Sequence, residues 1–253
     1  MNNAYLTRLF GLEGKVALVT GGHKGVGKMI ADALAEAGAR VYVASRSADD
    51  SSGHIGIPCD LSSDSGLDEL VAQFERREEK LHILVNNAGS FAAGPLEDVG
   101  CEEWDSIMAL NLRTPFMLVQ MLLPLMISAG DAEDPARVIN IGSIAGIMGG
   151  SNMAYAYGAS KAGLHQLTRT LASDLSAQHI TVNAIAPGYF PSDMTEGFFA
   201  AQPGLQQTIV EATPRGRLGS GEDVGGFCIY LCSRAGAFVS GQITALDGGF
   251  LLK

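Results

Sequence analysis

Charge is sparse in this chain. Charged residues make up 17% of its 253, and the basic ones are scarcer, 17 Lys and Arg against 27 Asp and Glu. The formal charge of −10 argues against nucleic acid or an anionic membrane as main partner, a local basic pocket aside. Cysteine is nearly absent. Cys59, Cys101, Cys228 and Cys232 are too few for a disulfide scaffold and fit reduced, cytoplasmic thiols. Cys228 and Cys232 lie four apart without a second Cys or His pair, and the five histidines lack ligand spacing. No metal is therefore expected. Long hydrophobic runs are missing too. The longest, Met117 to Ile127, is interrupted by Gln120 and Pro124 and falls short of the ~18 residues of a membrane span. No apolar stretch of signal-peptide length follows Arg8 and Lys15, so no targeting segment is expected.

Aliphatic side chains and glycine are abundant, with 47% hydrophobic residues and 32 Gly, enough for a sizeable core. Seven short runs, Val16–Thr20, Val41–Ser45, Ile55–Pro58, Ile83–Asn86, Arg137–Ile141, Thr181–Ala186 and Ile243–Asp247, are nearly continuous in Val, Ile, Leu and Ala. That pattern belongs to parallel strands covered on both faces. Helical periods lie between several of them, as at Leu67, Leu70, Val71 and Phe74 with Ser62, Ser63 or Asp64 as cap. Ser220 and Asp223 have capping-box spacing before Val224, Phe227 and Leu231, and Gly38 stands where an earlier helix ends. The reading is α/β: one domain over 1–253, a Rossmann-type, doubly wound parallel sheet of about seven strands. The second crossover, Arg46 to His54, has only nine residues where a dozen or more are usual, so its helix is expected to be vestigial or missing.

Directly after the first strand comes TGGHKGVG, opening the helical stretch from Lys28 to Ala37. Gly21, Gly25 and Gly27, with Lys24 and Val26 among them, let the backbone approach a pyrophosphate at a helix N-terminus. A glycine turn that merely starts a helix is the duller alternative, and the preceding strand weighs against it. An NAD site places Asp or Glu at the end of the second strand, whereas here the strand ends Ala44-Ser45-Arg46. Lys24, Arg46 and the Ser45 hydroxyl suit a 2′-phosphate, which points to NADP(H); ordinary solvated charges are the alternative.

With those residues in view, the chain resembles the short-chain dehydrogenase/reductase family over nearly its whole length. The glycine turn matches the family's T-G-x3-G-x-G form. Asp60-Leu61 looks like its adenine-contacting pair, and Asn86-Asn87-Ala88-Gly89 like the motif closing the fourth strand. Asn111, Ser143, Tyr157 and Lys161 follow in its catalytic order, then Pro187-Gly188 and Asp247-Gly248-Gly249. The resemblance implies that Lys161 also holds the nicotinamide ribose, that Asn111 positions a relay water, and that Ser192 or Thr195 touches the cofactor's amide end. Physically, Tyr157 and Lys161 are four apart on one helix face, and an adjacent ammonium is expected to lower the phenol toward neutrality. Ser143 would hydrogen-bond a carbonyl oxygen as charge develops there. Taken singly, a half-buried tyrosine, a solvated lysine, a strand-end serine and a helix-end asparagine would be unremarkable.

The segment YFPSDMTEGFFAAQPG is implied to be a lid. Its Tyr189, Phe190, Met194, Phe198 and Phe199, with Met148 and Met153, suit a greasy substrate, unless they only pin the lid to the body. PARVINIGSIAGI, AYAYGASKAGLHQLTR and APGYFPSDMT look like segments of bacterial NADPH-dependent 3-oxoacyl reductases of the rhamnolipid-synthesis type. The implied reaction reduces a small-molecule carbonyl, a 3-oxoacyl thioester, to the hydroxyacyl product. Sugar, polyol or xenobiotic-ketone dehydrogenases are the rivals within the fold. A nucleotide-binding regulator without turnover is the rival outside that class. Arg215 and Arg217 are the visible basic candidates for meeting an acidic carrier protein. The family further implies a homotetramer built on helices near Trp104–Ile127 and Tyr155–Gln178 and on the C-terminal strand region. Phe116, Val119, Leu122 and Leu123 would serve that interface or the core.

Overall fold

A computed structural model describes residues 3–50, 53–149 and 153–252. The continuous aliphatic runs become β1 (Val16–Thr20), β2 (Arg40–Ser45), β3 (Ile55–Pro58), β4 (Ile83–Asn86), β5 (Ala136–Ile141), β6 (Ile180–Pro187) and β7 (Ile243–Leu246). They form one sheet in the order β3-β2-β1-β4-β5-β6-β7, every adjacent pair parallel. Chain order reverses between β1 and β4. The carboxyl ends of those two strands therefore border the crevice that doubly wound sheets use for ligands.

The helices are α1 (Asn3–Phe10), α2 (Gly25–Glu36), α3 (Asp64–Glu75), α4 (Cys101–Met108), α5 (Thr114–Ala129), α6 (Tyr155–Leu175), α7 (Asp193–Ala201), α8 (Leu205–Ala212) and α9 (Gly221–Cys232). On one face Leu70 and Phe74 of α3, Leu118 and Leu122 of α5 and Leu171 of α6 bury Leu18, Leu84 and Val138. On the other, Ile30 and Leu34 of α2 and Val224 and Leu231 of α9 cover Val19, Val43 and Ile139. Ser63 caps α3, accepting from Gly66 N at 3.1 Å. Ser220 and Asp223 close the reciprocal box on α9.

No α-helix joins β2 to β3 among the described residues. The short connection instead puts Ala48 into the second core layer and is tied down by its polar side chains. His54 Nε2 lies 2.8 Å from Asp32 Oδ1 on α2, and Asp50 Oδ1 accepts from Gly56 N at 2.8 Å. Gly56 has no Cβ for a reason: one there would sit 2.6 Å from the Asp49 backbone.

The expected helix over Trp104–Ile127 is longer and less regular. It runs Cys101–Ala129, and a π turn at Ala109–Arg113 separates α4 from α5. The whole run is long and apolar enough to span a membrane, as core helices of this length often are. Its inner face, however, is spent on the sheet through Leu118, Val119, Leu122 and Met126. Val119 and Leu122 are thus core, while Phe116 is exposed.

One buried cation braces the far end of the sheet. Arg137 on β5 is only 1% exposed. Its Nε donates to Leu231 O at 3.1 Å, and Nη2 donates to Ser233 O at 2.8 Å and Asp134 Oδ1 at 2.9 Å. Lys15 completes the cluster, 2.6 Å from Asp134 Oδ2.

Candidate active site

Thr20 ends β1 and fastens the crevice. Its Oγ1 accepts from Asn87 N at 2.9 Å and Ala88 N at 3.0 Å, while its carbonyl accepts from Asn87 Nδ2 at 2.9 Å. The glycine turn is pressed against this corner. Gly21 has φ +64°, and a Cβ on Gly27 would lie 2.2 Å from Asn87 Nδ2 and 2.4 Å from Gly21 O. Only glycine fits there. Val26 follows in the first turn of α2, and Lys24 is the exposed, extended residue before it. Gly25 is covered by the lid, since its Cβ would meet Ser192 Cβ at 3.3 Å.

At the end of β2 the Ser45 hydroxyl is buried with no hydrogen-bond partner among the described residues, next to exposed Arg46. Ser62 hydrogen bonds hold the Asp60 carboxyl below its usual range, and the charge of Arg46 adds to them. Leu61 is buried, its carbonyl accepting from Thr114 Oγ1 at 2.8 Å.

A polar ladder registers α6 on the sheet. Asn86 Nδ2 donates to Asn140 Oδ1 at 2.9 Å, and Asn140 Nδ2 to Thr168 Oγ1 at 2.9 Å. Tyr157 and Lys161 thereby face the loop after β5. Ser143 hydrogen-bonds the Tyr157 phenol, and Lys161 Nζ lies 5.6 Å from the centre of that ring. Lys161 Nζ donates to Ile141 O at 2.8 Å. A Cβ on Gly89 would come within 3.1 Å of Asn111 Oδ1 and 3.7 Å of Lys161 Nζ, so the crevice ends on these groups.

The electrostatics differ from the simple expectation for Tyr157. It keeps some exposed edge but sits deep among protein atoms, and that desolvation pushes its phenol up; the Ser143 hydrogen bond pulls the other way. Burial also pushes the Lys161 amine down to about 8.

Asn111 is not a helix-end residue. It lies in the π turn, fully buried, with Nδ2 also donating to Ser160 Oγ at 3.1 Å. Phe91 was not legible as a site residue, yet its ring packs edge-on against Tyr157 with centroids 4.9 Å apart. His165, one turn beyond Lys161, packs behind the Ser143 loop. The only sequence signals for it were that spacing and the glycines at 142 and 146.

At the lid, Thr195 Oγ1 donates to Phe190 O at 2.7 Å, and Ser192 Oγ lies 3.1 Å from Thr195 Oγ1. Both hydroxyls serve the start of α7. Gly188 N, just past Pro187, donates to Leu246 O at 3.0 Å. Phe190 is buried against Gly219, and Tyr189 packs on Phe250 at 5.2 Å, so these two aromatics anchor the lid. The side chains of Met194 and Phe198 lie outside the described residues. Exposed Met153 accepts from Gly94 N at 3.1 Å, joining the loops on either side of Tyr157. Cys228 and Cys232 are buried free thiols 3.8 Å apart, and no metal-holding group of three or more His, Cys, Asp or Glu occurs among the described residues.

The glycine turn lies at the switch point with Ser143, Tyr157 and Lys161 grouped at its end, the arrangement expected of a dinucleotide-dependent oxidoreductase, and the chain belongs to the short-chain dehydrogenase/reductase family. Residues 21–251 match the family model described as enoyl-(acyl carrier protein) reductase. The chain is 45% identical to the rhamnolipids biosynthesis 3-oxoacyl-[acyl-carrier-protein] reductase of Pseudomonas aeruginosa, over 96% of this chain and 98% of that one. It is 36% identical to the 2-dehydro-3-deoxy-D-gluconate 5-dehydrogenase of Bacillus subtilis, over 98% and 99%. The solved Pseudomonas aeruginosa RhlG/NADP active-site complex aligns with TM-score 0.91 at 44% identity, covering 96% of this chain and 98% of that one.

Proposed function

We propose that the protein is an NADPH-dependent carbonyl reductase whose substrate is a 3-oxoacyl thioester. The observation that carries this reading is the Tyr157 phenol hydrogen-bonded to Ser143, with Lys161 Nζ 5.6 Å from its ring centre, at the end of the glycine-lined crevice.

The crevice fits the cofactor. The Ser45 hydroxyl, without a partner among the described residues, is a group a 2′-phosphate would use, and the glycine turn packed on Asn87 leaves no side chain between its backbone and a pyrophosphate. Gly21, Lys24, Gly25, Val26 and Gly27 would hold the pyrophosphate; Ser45 and Arg46 the 2′-phosphate; Asp60 and Leu61 the adenine. Asn87, Ala88 and Gly89 would form the crevice wall, and Pro187, Gly188 and Thr195 the nicotinamide end. When bound, the cofactor supplies the hydride.

The chain's own residues manage the proton. Ser143 donates to the substrate oxygen as negative charge builds there. Tyr157, kept protonated by burial, releases its Oη proton to that oxygen. The Lys161 ammonium stabilises the phenolate left behind, and Asn111 holds the adjoining loops in place.

The thioester reading draws on the 45% identical reductase. Arg217 contributes less to carrier recognition than expected, because Asp223 neutralises it through contacts of 2.6 and 2.9 Å. Arg215 remains as the cation beside a cavity of about 190 Å³ under the lid. A keto-sugar acid is the second reading, favoured by the gluconate-type relative. A homotetramer fits the exposed Trp104, Phe116 and Ile127 on the α4–α5 run and the exposed Phe238 and Leu252 flanking β7. The free thiols fit the cytoplasm.

The test is NADPH consumption across acetoacetyl-CoA, longer 3-oxoacyl thioesters on coenzyme A or carrier protein, keto-sugar acids and simple ketones, with NADH in parallel. Preference for thioesters with NADPH is expected. Activity confined to sugars or ketones overturns the substrate, and silence with NADPH still bound overturns the catalytic reading.

A further inference from the structure

His165 is an odd residue for its position. It lies on α6 one turn after Lys161, is 4% exposed, and its ring fills the hollow beneath the turn that carries Ser143. Two glycines bracket that turn: Gly142 is shaped around the ring, and Gly146 lies against both the ring and the α6 backbone at Lys161 and Ala162. A Cβ on Gly142 would lie 2.1 Å from His165 Nε2 and 2.8 Å from Cδ2; one on Gly146 would lie 2.9 Å from Cε1. Any larger residue at 142 would collide with the imidazole, so Gly142 and His165 form a matched pair.

The ring is held by one polar contact. His165 hydrogen-bonds the Gly146 backbone, while Nε2 is buried without a partner among the described residues. The nitrogen left to meet Gly146 is therefore Nδ1. The same turn is closed by Gly146 N donating to Ser143 O at 3.0 Å and Ala145 N donating to Ser143 Oγ at 3.1 Å. Fixing Gly146 therefore fixes Ser143.

We infer that His165 is a positioning residue: its imidazole, seated between Gly142 and Gly146, donates from Nδ1 to the Gly146 carbonyl and so aims the Ser143 hydroxyl at the substrate oxygen. Burial keeps the ring uncharged, pushing it down to about 4, with the nearby Lys161 ammonium acting in the same direction. The inference rests on the proposed reductase reading, since it gives Ser143 something to aim at.

His165→Leu fills the hollow without a donor, and His165→Asn restores a donor near the Nδ1 position. With the best substrate of the panel, His165→Leu is expected to lower kcat at least about tenfold, within the ~100-fold that a 1 Å misplacement costs. NADPH affinity should stay within twofold. His165→Asn should recover most of the lost kcat. Equal losses in both variants, following a fall in melting temperature, would mean that the ring merely packs, and unchanged kcat in His165→Leu also overturns the inference. Tyr157→Phe run alongside separates the two levels: if it too leaves kcat unchanged, the reductase reading has failed rather than the role of His165. Should His165→Leu not fold, histidine ¹⁵N spectra of the wild-type enzyme at neutral pH still decide. The Nδ1–H tautomer is expected for His165, and an Nε2–H tautomer would sink the inference.

Discussion

One carboxamide satisfies the whole backbone of Ser90: Asn111 Oδ1 accepts from Ser90 N at 2.8 Å, and Asn111 Nδ2 donates to Ser90 O at 2.9 Å. The π turn is what turns Asn111 inward, because a regular helix would place residue 111 at a different angle about the axis. The pair carries the loop after β4 toward α6, where Phe91 meets Tyr157. Asn111→Leu should leave both Ser90 groups without partners in a buried place, costing about 1–3 kcal/mol for each unsatisfied group. Denaturant unfolding measures the loss, and a midpoint equal to wild type would contradict this account.

Tyr157→Phe should cut turnover by about 10²–10⁴-fold, the usual scale for losing a positioned acid, while NADPH still binds. Fluorescence titration beside steady-state rates separates the two effects. Substantial residual turnover would refute the role of the phenol.

The Lys161 amine, pushed down to about 8 by burial, gives a pH signature. It is charged below that value and neutral above it, so kcat/KM for NADPH, which reports groups on the free enzyme, should fall as pH rises through about 8. A flat profile to pH 10 would detach Lys161 from the cofactor.

Arg46→Asp replaces the cation beside Ser45 with the acid that a ribose hydroxyl prefers. The preference for NADPH over NADH should drop roughly 10- to 100-fold, the worth of a charge-assisted hydrogen bond. Unchanged discrimination would move the 2′-phosphate site elsewhere.

His82 links pH to stability. Its Nδ1 accepts from Val16 N at 3.1 Å, and burial pushes it down to about 4 from 6.5. Between those values the unfolded chain binds a proton that the folded chain refuses, so stability is lost as pH falls from 6.5 toward 4. His165 acts in the same direction. In thermal melts from pH 7 to 4.5, His82→Asn, which keeps an acceptor but cannot titrate, should lose less than wild type. Parallel losses would assign the acid sensitivity to other groups.

The strands were legible because parallel strands buried on both faces are written as unbroken aliphatic runs, and the observed bounds differ from the sequence reading by a residue at a few ends. The Ser220–Asp223 cap and the second crossover, without an α-helix among the described residues, follow from equally local rules. What could not be read was set by packing between distant segments. The π turn has no signature around Asn111, and nothing in residues 89–94 points Phe91 at Tyr157. The upward push on the Tyr157 phenol depends on how deeply α6 docks, which spacing alone does not encode. The seat of the His165 ring against Gly142 likewise joins segments 23 residues apart in a way no local spacing encodes.

The guanidinium of Arg137 bears on how the chain is made. Two of its acceptors, Leu231 and Ser233, lie 94 and 96 residues downstream. While the chain leaves the ribosome, β5 can join β4 early, but its cation finds carbonyl partners only once the end of α9 has emerged. Until then the sheet centre carries an incompletely paired charge, and tight burial there is unfavourable. The last stretch of the protein thus acts as a completion check: a nascent chain cut short before residue 231 leaves the Arg137 guanidinium on β5 without either carbonyl acceptor and with only Asp134 beside it.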